Sequence, residues 1–490
     1  MKQAIAGFLL ICCSVSLQAQ DNFYNTFSRI NREVQQHSPV YNNLKHASMT
    51  IGHRLTGSPN GANAEEHAYK LLQSYGYQVK YQPFEVESWS RLTNLTKIGN
   101  SASDLQEVKT VALAHSPVKA KVTAEVVDLG NGLAADYQRD AGQVKGKIAL
   151  VYLGVLPGSA AGTPSLHRSE KAALAIENGA VGVIIINTVK NNVLLTGTAS
   201  VTGKLISIPA VCIGLEDGNE IKTALKSAKQ FASLQMTNFS GLIKARNVIA
   251  TLKGKELPEE KIVVGGHLDS WDLATGAIDN GIGSFAVIDM ARTFKKLQLK
   301  TRRTLEFVLF MGEEQGLLGS KAYVAEALKA GNLQQVKFML NYDMTNDPKG
   351  AAASRKEMEK LFSIWGADMA RLDTGYKNLF SARAGLHSDH QPFMLQGIPT
   401  GGGFGGKLPN NSGQFYHSNG DDFSLVDKQG LKNTVRYGAM LSYALAATKK
   451  IPVQQQSDQE LKVFLQESGL ELPLTIAGDW RWNKDTDGKY

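Results

Sequence analysis

The chain has 490 residues, of which 43% are hydrophobic and 20% are charged, a balance that is typical of a globular protein. Its length exceeds that of a single ordinary core and predicts two domains, with room for one to be inserted in the other. The formal net charge is +8, but basic residues occur as scattered pairs such as Arg302 and Arg303. A solvated surface explains such pairs better than a nucleic-acid groove, so no nucleic-acid partner is predicted.

The first 19 residues have the pattern of a secretory signal. Lys2 precedes an apolar run over residues 4–17, and small or polar residues surround Ala19. This pattern predicts cleavage near Ala19 and a periplasmic or extracellular protein. A lipoprotein signal at Cys12 or Cys13 is the alternative, although the residues before those cysteines suit it poorly. No later stretch approaches the roughly 20 apolar residues of a membrane span, so no stable span is predicted.

Cys212 is the single cysteine expected in the mature protein, because the chain has three cysteines and two of them lie in the signal. The mature chain therefore cannot form an internal disulfide. Cys212 lies in the apolar run "ISIPAVCIG", which predicts a buried thiol rather than a nucleophile.

Four regions follow the signal. Residues 20–116 predict a helical segment, then a turn, a helix and a strand. Residues 117–242 contain short apolar strands such as "GKIALVYLG" and "AVGVIIINT" around one helix, "SEKAALAIENG", which predicts a compact β-rich insert. Residues 243–451 alternate strands and helices, and residues 452–490 form a tail to which the sequence assigns no role.

The third region predicts an α/β fold in which helices cover a mixed β-sheet. Strands are predicted at Arg246–Leu252, Lys261–His267, Thr304–Met311 and Lys337–Asp343, and helices at 284–297 and 320–330. In such folds, ligands bind at the carboxyl ends of the strands. Three of these strands end near acidic or imidazole side chains, namely His267, Glu313 with Glu314, and Asp343.

A cluster of buried carboxylates is costly unless a cation compensates it. The strand ends "VVGGHLD", "FMGEEQG" and "MLNYDM" contain neither Arg nor Lys. A divalent metal is therefore predicted, and histidine nitrogen with carboxylate oxygen suits zinc. Two zinc ions that share one carboxylate would lie about 3.5–4 Å apart.

The ordered motifs carry a resemblance to a known family. The stretches "GGHLDSWDLATGAIDNGIGS", "LFMGEEQGLLGS", "NYDM", "SDHQPF" with "GIP", and "YHSNGDD" resemble the signature of the M28 family of zinc exopeptidases. The motif "GHLDSWD" is most similar to the corresponding motif in a dipeptidase branch of this family. The resemblance covers most of the mature chain and implies the zinc exopeptidase fold, with a protease-associated (PA) domain inserted at residues 117–242.

The resemblance also implies a metal site for two zinc ions per chain. By motif, His267 and Asp343 bind one zinc, and Glu314 and His417 bind the other. Asp279, twelve residues after His267, bridges the two ions.

Further residues are implied to act beside the metals. Glu313 matches the family's catalytic base, and Tyr416 matches a tyrosine that donates a hydrogen bond to the oxyanion. From its position two residues after His267, Asp269 is expected to orient that ring by accepting the other imidazole N–H, and a turn aspartate that caps the following loop is the alternative. Asp389 and His390, in "SDHQPF", are expected to line the substrate pocket.

Three functional hypotheses follow. The first is a secreted di-zinc exopeptidase that hydrolyses dipeptides or short peptides. The second is an aminopeptidase that trims longer peptides. The third is a non-catalytic metal-containing binding protein, against which Glu313 argues, since a structural site needs no base. The insert is expected either to shape substrate access or to form the interface of a homodimer.

Overall fold

The computed structural model describes residues 22–139 and 142–482. The predicted signal at residues 1–19 lies outside the described residues. Within the described part of the chain, no helix combines the length and the apolar character that crossing a membrane requires.

The N-terminal region forms three helices and a long strand. These are α1 (Tyr24–His37), α2 (Val40–Thr50), α3 (Pro59–Ser74) and β1 (Val79–Ser101). Ser58 begins α3 because its hydroxyl accepts the N–H of Gly61 at 3.0 Å, and Pro59 fits the first turn, where its missing N–H costs nothing. The predicted order of helix, turn, helix and strand is confirmed.

The insert has more helix than the predicted β-rich module. Strands β2 (Asp104–Val108) and β3 (Thr110–Ala112) come before residue 117. The insert itself contains β4 (Lys119–Asp128), α4 (Ala134–Arg139), β5 (Ile148–Tyr152), α5 (Arg168–Glu177), β6 (Gly182–Ile186), β7 (Ala210–Ile213) and α6 (Leu215–Leu225), and β3 pairs with β7. Strands β4, β5, β6 and β7 are parallel neighbours. Every residue of β5 and β6 is buried, because apolar cores cover both faces of this sheet. This two-sided burial explains the continuous apolar runs in the sequence.

Two long antiparallel strands connect the insert to the rest of the molecule. Strand β8 (Phe231–Leu252) pairs with β1 from Phe231 to Ala250. Its first part also pairs with β4 of the insert, and its last part with the strand Arg303–Phe310 of the main sheet. The predicted strand at Arg246–Leu252 is the end of β8, and the predicted domain boundary after residue 242 lies inside this strand. The chain therefore enters the main sheet without a linker.

The main sheet is mixed and lies between two layers of helices. After β8 come β9 (Leu257–His267), α7 (Ile282–Lys296), β10 (Arg303–Phe310), α8 (Leu318–Lys329), β11 (Val336–Asn341), β12 (Gly350–Ala353), α9 (Glu359–Leu372), β13 (Leu379–Ala382), α10 (His390–Met394), β14 (Thr400–Phe404) and α11 (Lys428–Ala447). The strand order is β13-β12-β14-β11-β9-β10-β8, and the four strands from β14 to β10 are parallel. The predicted α/β fold is confirmed.

Strand β9 shows why the centre of the sheet is apolar on both faces. Ile262 and Val264 pack into the core beneath α7 and α11, whereas Val263 packs on the opposite face with residues of α8 and α10. Side chains of a strand alternate between faces, so a strand that is covered on both sides needs apolar residues at every position.

The C-terminal tail is part of the fold. Helices α12 (Asp458–Glu467) and α13 (Glu471–Ala477) pack through Leu461, Leu465 and Leu474 against Met394 of α10. Ser457 caps α12 and accepts the N–H of Glu460. The tail thus lies beside the loops that follow the parallel strands.

Candidate active site

The carboxyl ends of three parallel strands bring the predicted residues together. His267 is the last residue of β9. Glu313 and Glu314 follow the end of β10, and Asp343 follows the end of β11. Because β10 and β11 both run parallel to β9, these side chains converge at one edge of the sheet.

Asp279 lies between two histidines. Its Oδ1 is 3.3 Å from Nε2 of His267, and its Oδ2 is 3.0 Å from Nε2 of His417. The turn before α7 is held by Asp421, whose carboxylate accepts the N–H groups of Ile278 at 2.7 Å and Asp279 at 3.0 Å. The two oxygens of Asp279 therefore face different sets of donors.

Two groups of donor atoms have spacings that suit zinc. His267, Asp279 and Asp343 form one group, and Asp279, Glu314 and His417 form the other, with all donors of a group within 4.8 Å of one another. Nε2 of His267 is 3.3 Å from Oδ1 of Asp343, and Nε2 of His417 is 2.9 Å from Oε2 of Glu314. A tetrahedral ion with bonds of about 2.1 Å separates its ligands by about 3.4 Å. The donor set and its spacing thus fit zinc.

The charges at the site favour a cation. Burial raises the pKa of Glu314, and burial with the nearby carboxylates of Asp343 and Glu314 raises the pKa of Glu313 well above its usual range. Burial would lower the pKa of His267, but the carboxylates of Glu313 and Asp343 raise it well above the ordinary value. The electrostatic environment of the site thus stabilises a bound cation, either a proton or a metal ion. Oε1 of Glu314 is buried without a hydrogen-bond partner among the described residues.

Backbone carbonyls fix the orientation of both histidines. Nδ1 of His267 donates to the carbonyl of Asp269 at 3.1 Å, and Nδ1 of His417 donates to the carbonyl of Thr196 at 3.3 Å. Each bond leaves Nε2 free to bind a metal. Thr196 belongs to the insert, so the insert contributes directly to the site.

The carboxylate of Asp269 acts differently from the prediction. Its Oδ1 lies 3.6 Å from Nδ1 of His267, too far for a hydrogen bond. It accepts the backbone N–H of Glu313 at 3.3 Å, and Oδ2 accepts that of Glu314 at 3.4 Å. The backbone of Asp269 thus orients His267, while its side chain positions the two consecutive glutamates.

Arg54 is a buried cation for which the sequence gives no signal. Its guanidinium donates to the carbonyls of Leu268 at 2.6 Å, Thr275 at 2.6 Å and Gly276 at 2.8 Å. The side chain has no exposed surface, and its charge acts on nearby acids that include Asp279. The strand ends lack Arg and Lys, as the sequence indicates. Arg54, which belongs to the segment before α3, partly compensates the negative charge of the acids there.

Ser388 is a second residue whose role the sequence does not reveal. Its hydroxyl donates to Oδ2 of Asp343 at 2.6 Å and accepts from the side-chain amide of Asn341, also at 2.6 Å. Ser388 lies in the motif "SDHQPF", but the motif alone does not indicate which side chain it holds.

Tyr416 and Glu313 line the same cleft beside the donor groups. The ring of Tyr416 stacks on the imidazole of His417, with 3.7 Å between their centres. Burial raises the pKa of Tyr416 far above its ordinary value, so its hydroxyl stays protonated and can donate a hydrogen bond.

Asp389 and His390 occupy different places. His390 lines a second cavity together with Asp343, and its Nε2 pairs with the carbonyl of Gly385 at 3.0 Å. Asp389 has no exposed surface and lines neither of these cavities, and burial raises its pKa to about 7. The position of Asp389 therefore differs from the predicted place on the pocket surface.

Three parts of the chain enclose the cleft that Glu313 and Tyr416 line. The main domain contributes the metal-site side, the insert contributes residues 167–170 and 198–201, and the tail contributes residues around Leu474. The insert therefore shapes access to the site.

Comparison with known proteins identifies the family. Residues 247–442 match the profile of peptidase family M28, and residues 122–221 match that of the PA domain. Residues 247–442, which contain all five proposed metal ligands, form a peptidase family M28 domain. The PA match lies within the predicted insert, and the family resemblance of the motifs is confirmed.

Curated relatives of this M28 peptidase are exopeptidases by name. Carboxypeptidase Q of Xenopus laevis is 27% identical over 427 residues, which cover 81% of this chain and 83% of that protein. A probable leucine aminopeptidase 2 of Aspergillus oryzae is 28% identical over 372 residues, covering 72% of this chain and 69% of that protein. The M28 chain is a zinc-dependent metallopeptidase of the exopeptidase type.

Solved structures share the fold. An aminopeptidase from Aneurinibacillus sp. strain AM-1 has a TM-score of 0.65 at 26% identity, covering 88% of this M28 chain and 98% of that chain. A peptidase M28 precursor from Shewanella amazonensis has a TM-score of 0.74 at 24% identity, covering 89% and 99%, and supports the fold alone.

We expect Ser388→Ala to weaken metal binding, because it removes the hydrogen bond to Oδ2 of Asp343. Loss of such an orienting partner typically lowers metal affinity about 10- to 100-fold. Competition with a chromogenic chelator measures the zinc affinity of the purified variant. Ser424→Ala, at an exposed position, is the control and should bind zinc as the unmodified protein does. Equal affinities of the two variants would contradict the role given to Ser388.

Proposed function

We propose that the protein is an exported di-zinc exopeptidase that hydrolyses dipeptides or short peptides. The observation that carries this proposal is the position of Asp279, whose two oxygens face separate donor groups, with Glu313 beside them. A second metal position and an unligated base together suit hydrolysis of an amide bond better than a structural role.

The proposed ligands are divided between two ions. His267 and Asp343 would hold one zinc, Glu314 and His417 would hold the other, and Asp279 would contribute to both sites. Bound zinc supplies a Lewis acid that polarises the scissile carbonyl and lowers the pKa of a water molecule towards neutrality. The spacing of the donors and the unsatisfied oxygen of Glu314 support this assignment.

Glu313 moves the proton. Its carboxylate accepts a proton from the attacking water and delivers it to the nitrogen of the leaving amine. The backbone N–H groups of Glu313 and Glu314 both donate to Asp269, which fixes the turn so that the two side chains can take different roles.

Tyr416 stabilises the oxyanion. Its hydroxyl is protonated and its ring is held against His417, so it can donate a hydrogen bond to the oxygen of the tetrahedral species. His390 lines the second cavity together with Asp343 and is proposed to contact the substrate.

Two other functions remain as alternatives. Aminopeptidase action on longer peptides uses the same metal chemistry, and the names of several relatives favour it. A non-catalytic metal-binding role is opposed by Glu313, which binds neither proposed metal and lines the cleft. Export rests on the composition of residues 1–19, and homodimer formation stays a prediction.

The substrate class is tested with a panel of dipeptides, their C-terminal amides and longer peptides with the same N-terminal residues. A dipeptidase should give the highest kcat/KM with the free dipeptides. Equal turnover of all three classes would contradict the dipeptidase proposal. Preference for the longer peptides would indicate an aminopeptidase, and turnover of none would argue for a binding protein.

Glu313→Gln should abolish hydrolysis while zinc remains bound. Removal of a general base typically lowers kcat about 10²- to 10⁴-fold, and glutamine preserves the size of the side chain. Turnover and zinc content are measured on the same sample. A variant with normal kcat would disprove the assigned role.

The number of metal ions is tested with His417→Ala. The unmodified protein should contain two zinc ions per chain, and the variant should keep only the ion held by His267, Asp279 and Asp343. Elemental analysis after gel filtration gives the count. His387→Ala is the matched control, because His387 belongs to neither donor group and its loss should leave the zinc content unchanged. A single zinc in the unmodified protein would overturn the two-metal assignment.

A further inference from the structure

Arg168 is a buried arginine without a partner. It is the first residue of α5 in the insert, and only 4% of it is exposed. Across residues 22–139 and 142–482, no group forms a hydrogen bond or an ion pair with its guanidinium, and Nε is buried and unsatisfied. A buried charge normally requires a paired group of opposite charge. The missing partner therefore points to an anion that arrives with a ligand.

The backbone at Gly197 makes room for this guanidinium. A Cβ atom at Gly197 would lie 2.0 Å from Nη2 of Arg168, and the φ angle of Gly197 is +131°, a conformation that residues with side chains rarely adopt. A glycine is therefore needed at the point where the guanidinium crosses the chain.

The same segment connects Arg168 to the metal site. Thr196, next to Gly197, donates its N–H to the carbonyl of His417 at 2.9 Å and accepts from Nδ1 of His417 at 3.3 Å. Arg168 also lines the cleft together with Glu313 and Tyr416. Its guanidinium thus borders the same cleft as the proposed base and oxyanion donor.

The nearest acid on α5 does not pair with Arg168. Oε2 of Glu170 accepts the N–H of His167 at 2.7 Å, whereas Oε1 lies 3.5 Å from Nε2 of His387 and has no hydrogen-bond partner among the described residues. Glu170 completes the cap of α5, so it does not turn towards Arg168. The guanidinium remains available to the cleft.

We propose that Arg168 binds the free C-terminal carboxylate of the substrate, on the side of the leaving amine. This inference rests on the proposed peptidase function and names the group that selects dipeptides. A planar guanidinium matches a carboxylate through two parallel hydrogen bonds. In a dipeptide, the residue that leaves carries this carboxylate. In a longer peptide, an uncharged amide takes its place and leaves the buried charge of Arg168 unpaired.

Arg168→Met tests the proposal with two kinds of substrate. The zinc-loaded unmodified protein should prefer a dipeptide over its C-terminal amide, and Arg168→Met should lower kcat/KM for the dipeptide about 10- to 100-fold. Hydrolysis of the amide, and of an aminoacyl p-nitroanilide that has no carboxylate, should change by less than about threefold. Zinc content and thermal unfolding are measured in parallel.

Arg383→Met is the matched control, because Arg383 lines the second cavity on the other side of His387. It should leave the preference for the dipeptide unchanged. A preference that survives Arg168→Met, or that disappears in Arg383→Met instead, would overturn the assignment. If the methionine variant does not fold, Arg168→Lys decides, since it keeps the charge but loses the paired hydrogen bonds and should still reduce the preference. Failure of the unmodified protein to hydrolyse any of these substrates would instead refute the peptidase function.

Discussion

The structure depends on keeping several carboxylates buried together at the carboxyl ends of parallel strands. Like charges in a medium of low dielectric repel strongly, and burial alone already opposes their ionisation. Imidazole, guanidinium and backbone N–H groups from several parts of the chain stabilise these carboxylates. Two imidazoles lie against Asp279, the guanidinium of Arg54 is nearby, and backbone N–H groups donate to Asp269 and Asp421. The carboxylate and imidazole atoms that these contacts leave free form two groups of donors that fit metal ions.

This constraint also explains why so many segments far apart in the chain meet at one place. The strands supply the acids, but Arg54 comes from the segment before α3, and the carbonyl that orients His417 comes from Thr196 in the insert. Asp272, which follows the first strand end, pairs with Arg91 of β1 at 2.7 Å. Arg91 also donates to the hydroxyl of Thr196 at 2.7 Å. Its side chain therefore connects the loop after β9 to the insert.

The insert is therefore part of the active site as well as a cover for it. The unbroken passage of β8 from one sheet to the other holds the insert in register with the main domain. A rigid connection of this kind can position Arg168 relative to Glu313, which a flexible linker could not. The C-terminal helices close the remaining side of the cleft through apolar contacts with α10.

The sequence by itself determined the alternation of strands and helices, the family, and the order in which candidate ligands follow the strands. These features are local, because apolar periodicity and short motifs occupy neighbouring positions in the chain. Only the tertiary structure decided which other groups complete the site. Arg54, Ser388 and Thr196 act across long sequence separations, and the complete burial of Asp389 depends on packing. Buried polar groups form hydrogen bonds with whichever partners the fold brings near. These contacts join distant segments, so no single segment of the sequence predicts them.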